Sequence, residues 1–322
     1  MNFFSVFLTQ RRRGAERNII VLVCFFFIGL ALHAQTVPIR YAIMPENPRP
    51  GEPVTIGIHE GGRAGTAVLV SEGHRLAKAA FFRIPAEGAA QAFWAAILAV
   101  PATAKPGAAS IVIEGPAGIV KEIALTIARR EFSSETIELN PALTAIRTDP
   151  DPQKTAESEH LWAILNRTGN EIHGFDNFSP PVQSTRRTSR FGSRRVYQYS
   201  NGSSDVTVHA GVDYGVPAGT AVSACAPGRV VLARHRIITG NSIIIEHLPG
   251  IYSLYYHLDK IEVTEGELVA AGTLLGQSGA TGLATGPHLH WEIRVSGENA
   301  DPDAFIARPI LDKDAILSKM NS

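Results

Sequence analysis

From Val206 to about Ile306 the chain sets out one short apolar run after another, at 221–224, 229–233, 242–246, 252–257, 274–277 and 288–295, and almost every gap holds a glycine. The runs are too short for helices, and no 3.6-residue period intervenes. Glycine between short apolar runs marks turns between strands. The segment is therefore expected to be an all-β domain. A similar texture runs from Val37 to about Ala128. There Val54, Ile56 and Ile58 alternate after the turn Pro48-Arg49-Pro50-Gly51, and further runs follow at 67–70, 110–113 and 119–127. Strands at that spacing predict a smaller β-sandwich, immunoglobulin-like in kind, over 35–131.

Between the two, over 132–187, the texture changes to Ser133-Ser134, Asp149-Pro150-Asp151-Pro152 and Ser179-Pro180-Pro181. This reads as a linker with one short helix near 155–165. Leu161, Ile164 and Leu165 would form a single stripe on it, able to pack on either neighbour. The C-terminal β-domain is then assigned to 188–308 and a tail to 309–322.

Two β-domains need ample apolar material. With 45% hydrophobic and 19% charged residues in 322, the chain has it, and disordered, collagenous and polytopic membrane classes are excluded. Thirty basic residues balance thirty acidic ones. That balance argues against a phosphate-backbone binder, so no nucleic acid partner is expected.

The balance hides an asymmetry at the N-terminus. Arg11, Arg12, Arg13 and Arg17 stand against Glu16, an apolar run extends from Ile19 to Leu32, and Ala31-Leu32-His33-Ala34-Gln35 follows. This order predicts a signal peptide over 1–34, cleaved after Ala34. The run is shorter than the ~20 residues of a spanning helix. An uncleaved anchor is the alternative, and it would be the chain's only membrane attachment. The expected location is exported, in the periplasm or cell envelope. Cleavage leaves 30 − 4 = 26 basic and 30 − 1 = 29 acidic residues, a net charge of −3. It also removes Cys24, so Cys225 has no intramolecular partner. An exported domain without disulfides must rest on its core or on a metal.

The chemistry-bearing residues gather in three short stretches of the C-terminal domain: His209-Ala210-Gly211-Val212-Asp213, Tyr255-Tyr256-His257-Leu258, and His288-Leu289-His290. Each alone is a weak signal; together in one β-domain they are a strong one. Residues two or four apart on a strand face the same way. His209 and Asp213 would then share a face, with Gly211 leaving space between them, and so would His288 and His290. Convergence of the two strands would offer imidazole and carboxylate donors without thiolate, a set suited to zinc. Three protein ligands would leave a coordination position open, the mark of a catalytic site. Elsewhere His59 and His74 stand alone and read as ordinary surface histidines. His247 reads as structural, Cys225 as a buried inert thiol in a small apolar context.

Phe191-Gly192-Ser193-Arg194-Arg195, His209-Ala210-Gly211-Val212-Asp213-Tyr214-Gly215, Tyr256-His257-Leu258 and Gly286-Pro287-His288-Leu289-His290-Trp291-Glu292 resemble, in order and spacing, the lysostaphin/LytM-type zinc metallopeptidases of bacterial cell walls. The resemblance covers about 190–306. It implies a duplicated-hybrid-motif β-fold, and an endopeptidase cutting the peptide cross-links of peptidoglycan. It also implies Zn2+ held by His209, Asp213 and His290, with His257 and His288 flanking the water and the scissile carbonyl. No residue of the motifs is missing. The alternative reading is a catalytically restrained regulator of the same fold that binds and activates a cell-wall amidase or docks a division protein, with the linker covering the cleft.

Overall fold

The computed structural model describes residues 39–322 apart from 60–64, 89, 117 and 168. The expected signal segment 1–34 lies outside the described residues. Among them no helix is long and apolar enough to cross a membrane.

The first 90 or so described residues form eight strands: β1 (Tyr41–Met44), β2 (Pro53–His59), β3 (Thr66–Ser71), β4 (His74–Ala80), β5 (Phe82–Ile84), β6 (Phe93–Ala99), β7 (Gly107–Gly115) and β8 (Gly118–Ile127). They make two four-stranded sheets, ordered β1-β2-β6-β5 and β4-β3-β7-β8. Period-2 alternation decides what each sheet face meets. Val54, Ile56 and Ile58 of β2 and Ala96 and Leu98 of β6 point inward, against Leu69, Ile111 and Ile113. The intervening Phe93, Ala95, Ile97 and Ala99 point outward and are still buried, because they join a core shared with the C-terminal domain. The sandwich is thus held along one whole sheet face.

Next comes β9 (Ser134–Glu138), then α1 (Pro141–Thr148) and α2 (Pro152–Leu165). Both helices begin on a capping side chain followed by proline: Asn140 accepts from the Leu143 amide at 2.9 Å and Asp151 from the Gln153 amide at 2.8 Å. A cap oxygen satisfies an orphan N–H, and proline at the first helical position loses no bond. The second helix lays Ile164 and Leu165 against Leu232, Ile244, Tyr252 and Leu254. The stripe read from the sequence therefore packs on the C-terminal neighbour. The first helix and β9 had no sequence expectation; β9 runs parallel to a strand some sixty residues later, with Glu135 opposite Arg195.

The C-terminal domain is built from β10 (Arg187–Ser189), β11 (Arg194–Gln198), β12 (Ser204–Val208), β13 (Gly211–Tyr214), β14 (Ala221–Ser223), β15 (Gly228–Arg236), β16 (Gly240–Leu248), β17 (Ile251–Ile261), β18 (Leu268–Val269), β19 (Leu274–Ser278), β20 (Leu289–Val295) and β21 (Glu298–Ala300). Its main sheet runs β10-β13-β20-β17-β16-β15-β18, and a small sheet β12-β11-β9 stands beside it. Helices α3 (Pro302–Ala307) and α4 (Lys313–Asn321) close the chain. The last of them buries Ile316 and Met320 under the sandwich; a Cβ on Gly57 of β2 would meet Ile316 Cγ2 at 2.3 Å. The protein is mostly β, as its sequence texture indicates.

Candidate metal centre

Strand β20 lies between β13 and β17, and this order assembles the site. Its His290 stands directly opposite Asp213 of β13 on one side and Tyr256 of β17 on the other. The Tyr256 ring stacks on the His290 imidazole at 5.5 Å, with 5° between the planes. Strands β13 and β20 come close enough for this because residue 211 is glycine: a Cβ there would meet the Trp291 carbonyl oxygen at 2.2 Å. Gly211 thus makes room for the neighbouring strand's backbone. His209 sits just before β13, at its junction with β12, and turns into the same space as Asp213.

His209, Asp213 and His290 are buried and form a cluster suited to a metal ion. The donor atoms make a tight triangle: His209 Nε2 to Asp213 Oδ1 is 3.2 Å, His209 Nε2 to His290 Nδ1 3.0 Å, and His290 Nδ1 to Asp213 Oδ1 2.8 Å. Atoms bound at ~2.0–2.1 Å to one tetrahedral ion lie about 3.3 Å apart. One ion can therefore touch all three. The outer nitrogens fix which lone pairs point inward. His209 Nδ1 donates to the Arg190 carbonyl at 2.9 Å, and His290 Nε2 donates to Glu292 Oε2 at 3.4 Å. With both rings neutral, two imidazole lone pairs and a carboxylate oxygen face one another across a shared centre. Only a proton or a cation at the centre relieves that repulsion, so the donor set fits a divalent ion.

The electrostatics agree. Burial opposes ionisation of Asp213, yet the hydrogen bonds and charges of His209 and His290 hold its carboxyl well below the usual range. Burial pushes His209 down. Burial also opposes charge on His290, but Asp213 and Glu292 outweigh it and raise the imidazole to about 9. A metal binds where that proton would sit and displaces it. Glu292, on the same face as His290 and fully buried, is itself held by Arg294.

His257 and His288 complete the constellation, with ring centroids 4.8 Å apart. His257 has a left-handed backbone, φ +63°, a conformation costly for a residue with a side chain and found preferentially at functional sites. Adjacent strand residues point to opposite faces; this twist brings His257 round towards the cleft that Tyr256 and His290 also line. Its Nδ1 donates to the Thr281 carbonyl at 2.8 Å, and His288 Nδ1 donates to that of Gly286 at 2.8 Å. Each ring is thereby left with a bare Nε2. Burial, with His288 and His290 nearby, pushes His257 down to about 3, so the ring is neutral at pH 7. All five residues singled out in the sequence line one cleft of about 240 Å³. The small sheet walls it: Ile137, Arg195, Tyr197 and Thr207 border the cleft from one side, Leu283 to Thr285 from the other.

Cys225 is fully buried, its thiol pushed up to about 12 by burial. His247 is enclosed between the Pro227 carbonyl and Ser253 Oγ, each at 2.7 Å. Neither reaches the cleft. Sequence reasoning gave no role to Arg195, which contacts Asp213 Oδ2, nor to Glu135 and Ser189 behind it. Arg195 lies within a quoted motif; Glu135 carries no local signal at all.

The family model of peptidase family M23 matches residues 207–302. Curated relatives include the peptidoglycan DD-endopeptidases ShyA and ShyB of Vibrio cholerae. ShyA is 40% identical over 169 residues, 52% of this chain and 39% of the relative, and ShyB 36% identical over 139 residues, 43% and 32%. The DD-carboxypeptidase/endopeptidase Mpg of Neisseria meningitidis is 37% identical over 125 residues, 38% of this chain and 27% of the relative. The matched region thus spans between about a quarter and two fifths of these relatives. A crystal structure from Pseudomonas aeruginosa, described as a candidate peptidase M23, superposes with a TM-score of 0.56 at 25% identity, covering 80% of this chain and 94% of that one. Motif order, site geometry and these similarities converge: over residues 207–302 the chain carries a peptidase family M23 domain.

Proposed function

We propose that the protein is an exported zinc metalloendopeptidase that hydrolyses peptide cross-links of bacterial peptidoglycan. The observation that carries the reading is the triangle of inward lone pairs on His209, Asp213 and His290, with the bare Nε2 atoms of His257 and His288 beside it. The relatives named as peptidoglycan DD-endopeptidases support the substrate class. They also support an envelope location, which the basic-then-apolar start of the chain would deliver.

His209 Nε2, Asp213 Oδ1 and His290 Nδ1 would hold zinc. Bound there, zinc polarises the scissile carbonyl and lowers the pKa of water toward ~7. The remaining steps belong to the chain's own groups. His257 and His288, each with Nδ1 committed to a carbonyl, would use Nε2 to accept the proton of the attacking water and pass it to the leaving amine, or to donate to the oxyanion. Thr281 and Gly286 keep the two rings in the tautomer this needs. Tyr256 fixes the plane of His290 by stacking, and Glu292 fixes its outer nitrogen.

The test is to incubate the zinc-loaded chain from residue 35 onward with purified sacculi and follow muropeptides by mass spectrometry. Cross-linked dimers should convert to monomers with new amino termini, and the His290→Ala protein should release none. Sacculi left unchanged by a zinc-loaded, folded wild-type protein would overturn the reading.

A further inference from the structure

A chain of hydrogen bonds runs behind the metal site and leaves the family-matched segment. Starting at Asp213, the oxygen that faces away from His209 and His290 is taken by Arg195 Nη2. Arg195 Nε donates to Glu135 Oε1 at 2.7 Å. The same carboxylate oxygen accepts from Ser189 Oγ at 2.6 Å, and that hydroxyl oxygen lies 3.0 Å from Nδ1 of His209, where it shares the ring's N–H with the Arg190 carbonyl. Glu135 is therefore the point at which the supports of two donor residues meet. Arg195 and Ser189 belong to β11 and β10, but Glu135 belongs to β9, more than seventy residues before the start of the M23 match at 207.

Strand pairing is what brings it there. In the small sheet β9 pairs parallel with β11 and β11 antiparallel with β12, so Glu135, Arg195 and Thr207 lie in one row across three strands. Arg195 is largely buried, its side chain 13% exposed, with Asp213 at 9% and Glu135 at 30%. A buried guanidinium shared by two carboxylates is held in one geometry by bonds on both sides. Take away Glu135, and Arg195 keeps a single anchor while the Ser189 hydroxyl loses its acceptor.

We infer that Glu135 is a positioning residue of the metal site, acting through Arg195 on Asp213 and through Ser189 on His209. The strand that precedes the recognised domain is thus a working part of the centre. It holds the carboxylate and one imidazole at the spacing a divalent ion requires. Partners that hydrogen-bond to metal ligands commonly change affinity by about 10- to 100-fold when removed. The inference rests on the three-residue metal site proposed above.

The experiment is a competition titration of zinc against a chromophoric chelator, using the purified chain from residue 35 onward, with thermal unfolding of each metal-free variant alongside. Glu135→Ala is expected to weaken zinc binding about 10- to 100-fold. Both bonds use one oxygen of Glu135, which a carboxamide retains, so Glu135→Gln should stay within about threefold of wild type. Thr136→Ala, next along β9 and exposed, should match wild type. A residue that merely stabilised the arm would not show this rescue. Should Glu135→Ala fail to fold, Ser189→Ala tests the His209 limb alone and is expected to weaken zinc severalfold. Wild-type affinity in whichever of the two variants folds, or equal weakening by Glu135→Gln and Glu135→Ala, overturns the inference while leaving the metal site standing. A wild-type protein that binds no zinc removes the site itself, a different failure.

Discussion

His257 shows how much one residue's backbone decides. With φ at +63° it departs from the strand it belongs to, and that departure puts its imidazole beside His288. It does not belong to the donor triangle. His257→Ala is accordingly expected to keep its zinc while hydrolysis falls by ~10²–10⁴-fold, the usual worth of a positioned proton-transfer group. Zinc analysis and single-turnover cleavage on the same preparation check this, and near-normal turnover would remove the residue from the mechanism. The imidazoles of the site were legible in the sequence because each sits within a few residues of another chemistry-bearing group. The residues behind them were not. Glu135 and Arg195 are ordinary charged residues sixty positions apart, and only the parallel pairing of β9 with β11 gives their types a meaning.

At the scale of elements, the site depends on how closely two strands can lie. Asp213 and His290 face each other because β13 and β20 are in register, and Gly211 keeps the Trp291 carbonyl from colliding with a side chain. Gly211→Ala would place a methyl group 2.2 Å from backbone that has no rotamer to escape into. Overpacking of this kind typically costs about 1–3 kcal/mol. The variant is expected to lose that much in denaturant unfolding and to bind zinc more weakly, because displacement of β13 widens the triangle. Wild-type stability would show that the strands have slack. The strands themselves could be read in advance from apolar runs bounded by glycine. Strand alternation places Asp213 but not His209, which precedes the strand and faces Asp213 because of the junction with β12. The small sheet escaped notice because β9 and β11 are short, half-exposed and distant in sequence, and such strands leave little pattern.

Across the whole molecule the two β-domains share a core, since the outer face of β6 and the C-terminal helix join them. Strand β6 is apolar at every position, as a strand buried on both faces should be, but a continuous apolar run does not say which element covers its second face. Inside that shared core sits His247, enclosed and pushed down to about 4 by burial. Its ring is neutral in the folded state, whereas the unfolded chain takes up a proton below ~6.5. The unfolded state then binds more protons between those values, so stability should fall as pH drops through that window. The contribution is on the order of 3 kcal/mol. Chemical denaturation of the metal-free protein at pH 7 and pH 4.5 should show a smaller loss in His247→Gln than in wild type; equal losses would mean that His247 titrates normally.

Three side chains, gathered from two ends of the domain by neighbouring strands, are expected to close around one cation. Anomalous diffraction at the zinc absorption edge, from crystals of the zinc-saturated protein, tests it most directly. The predicted result is one strong peak ~2.0–2.1 Å from His209 Nε2, an Asp213 carboxylate oxygen and His290 Nδ1, and no such peak in Asp213→Ala. A peak held by other residues, or none at this triangle in wild-type crystals, would contradict the account.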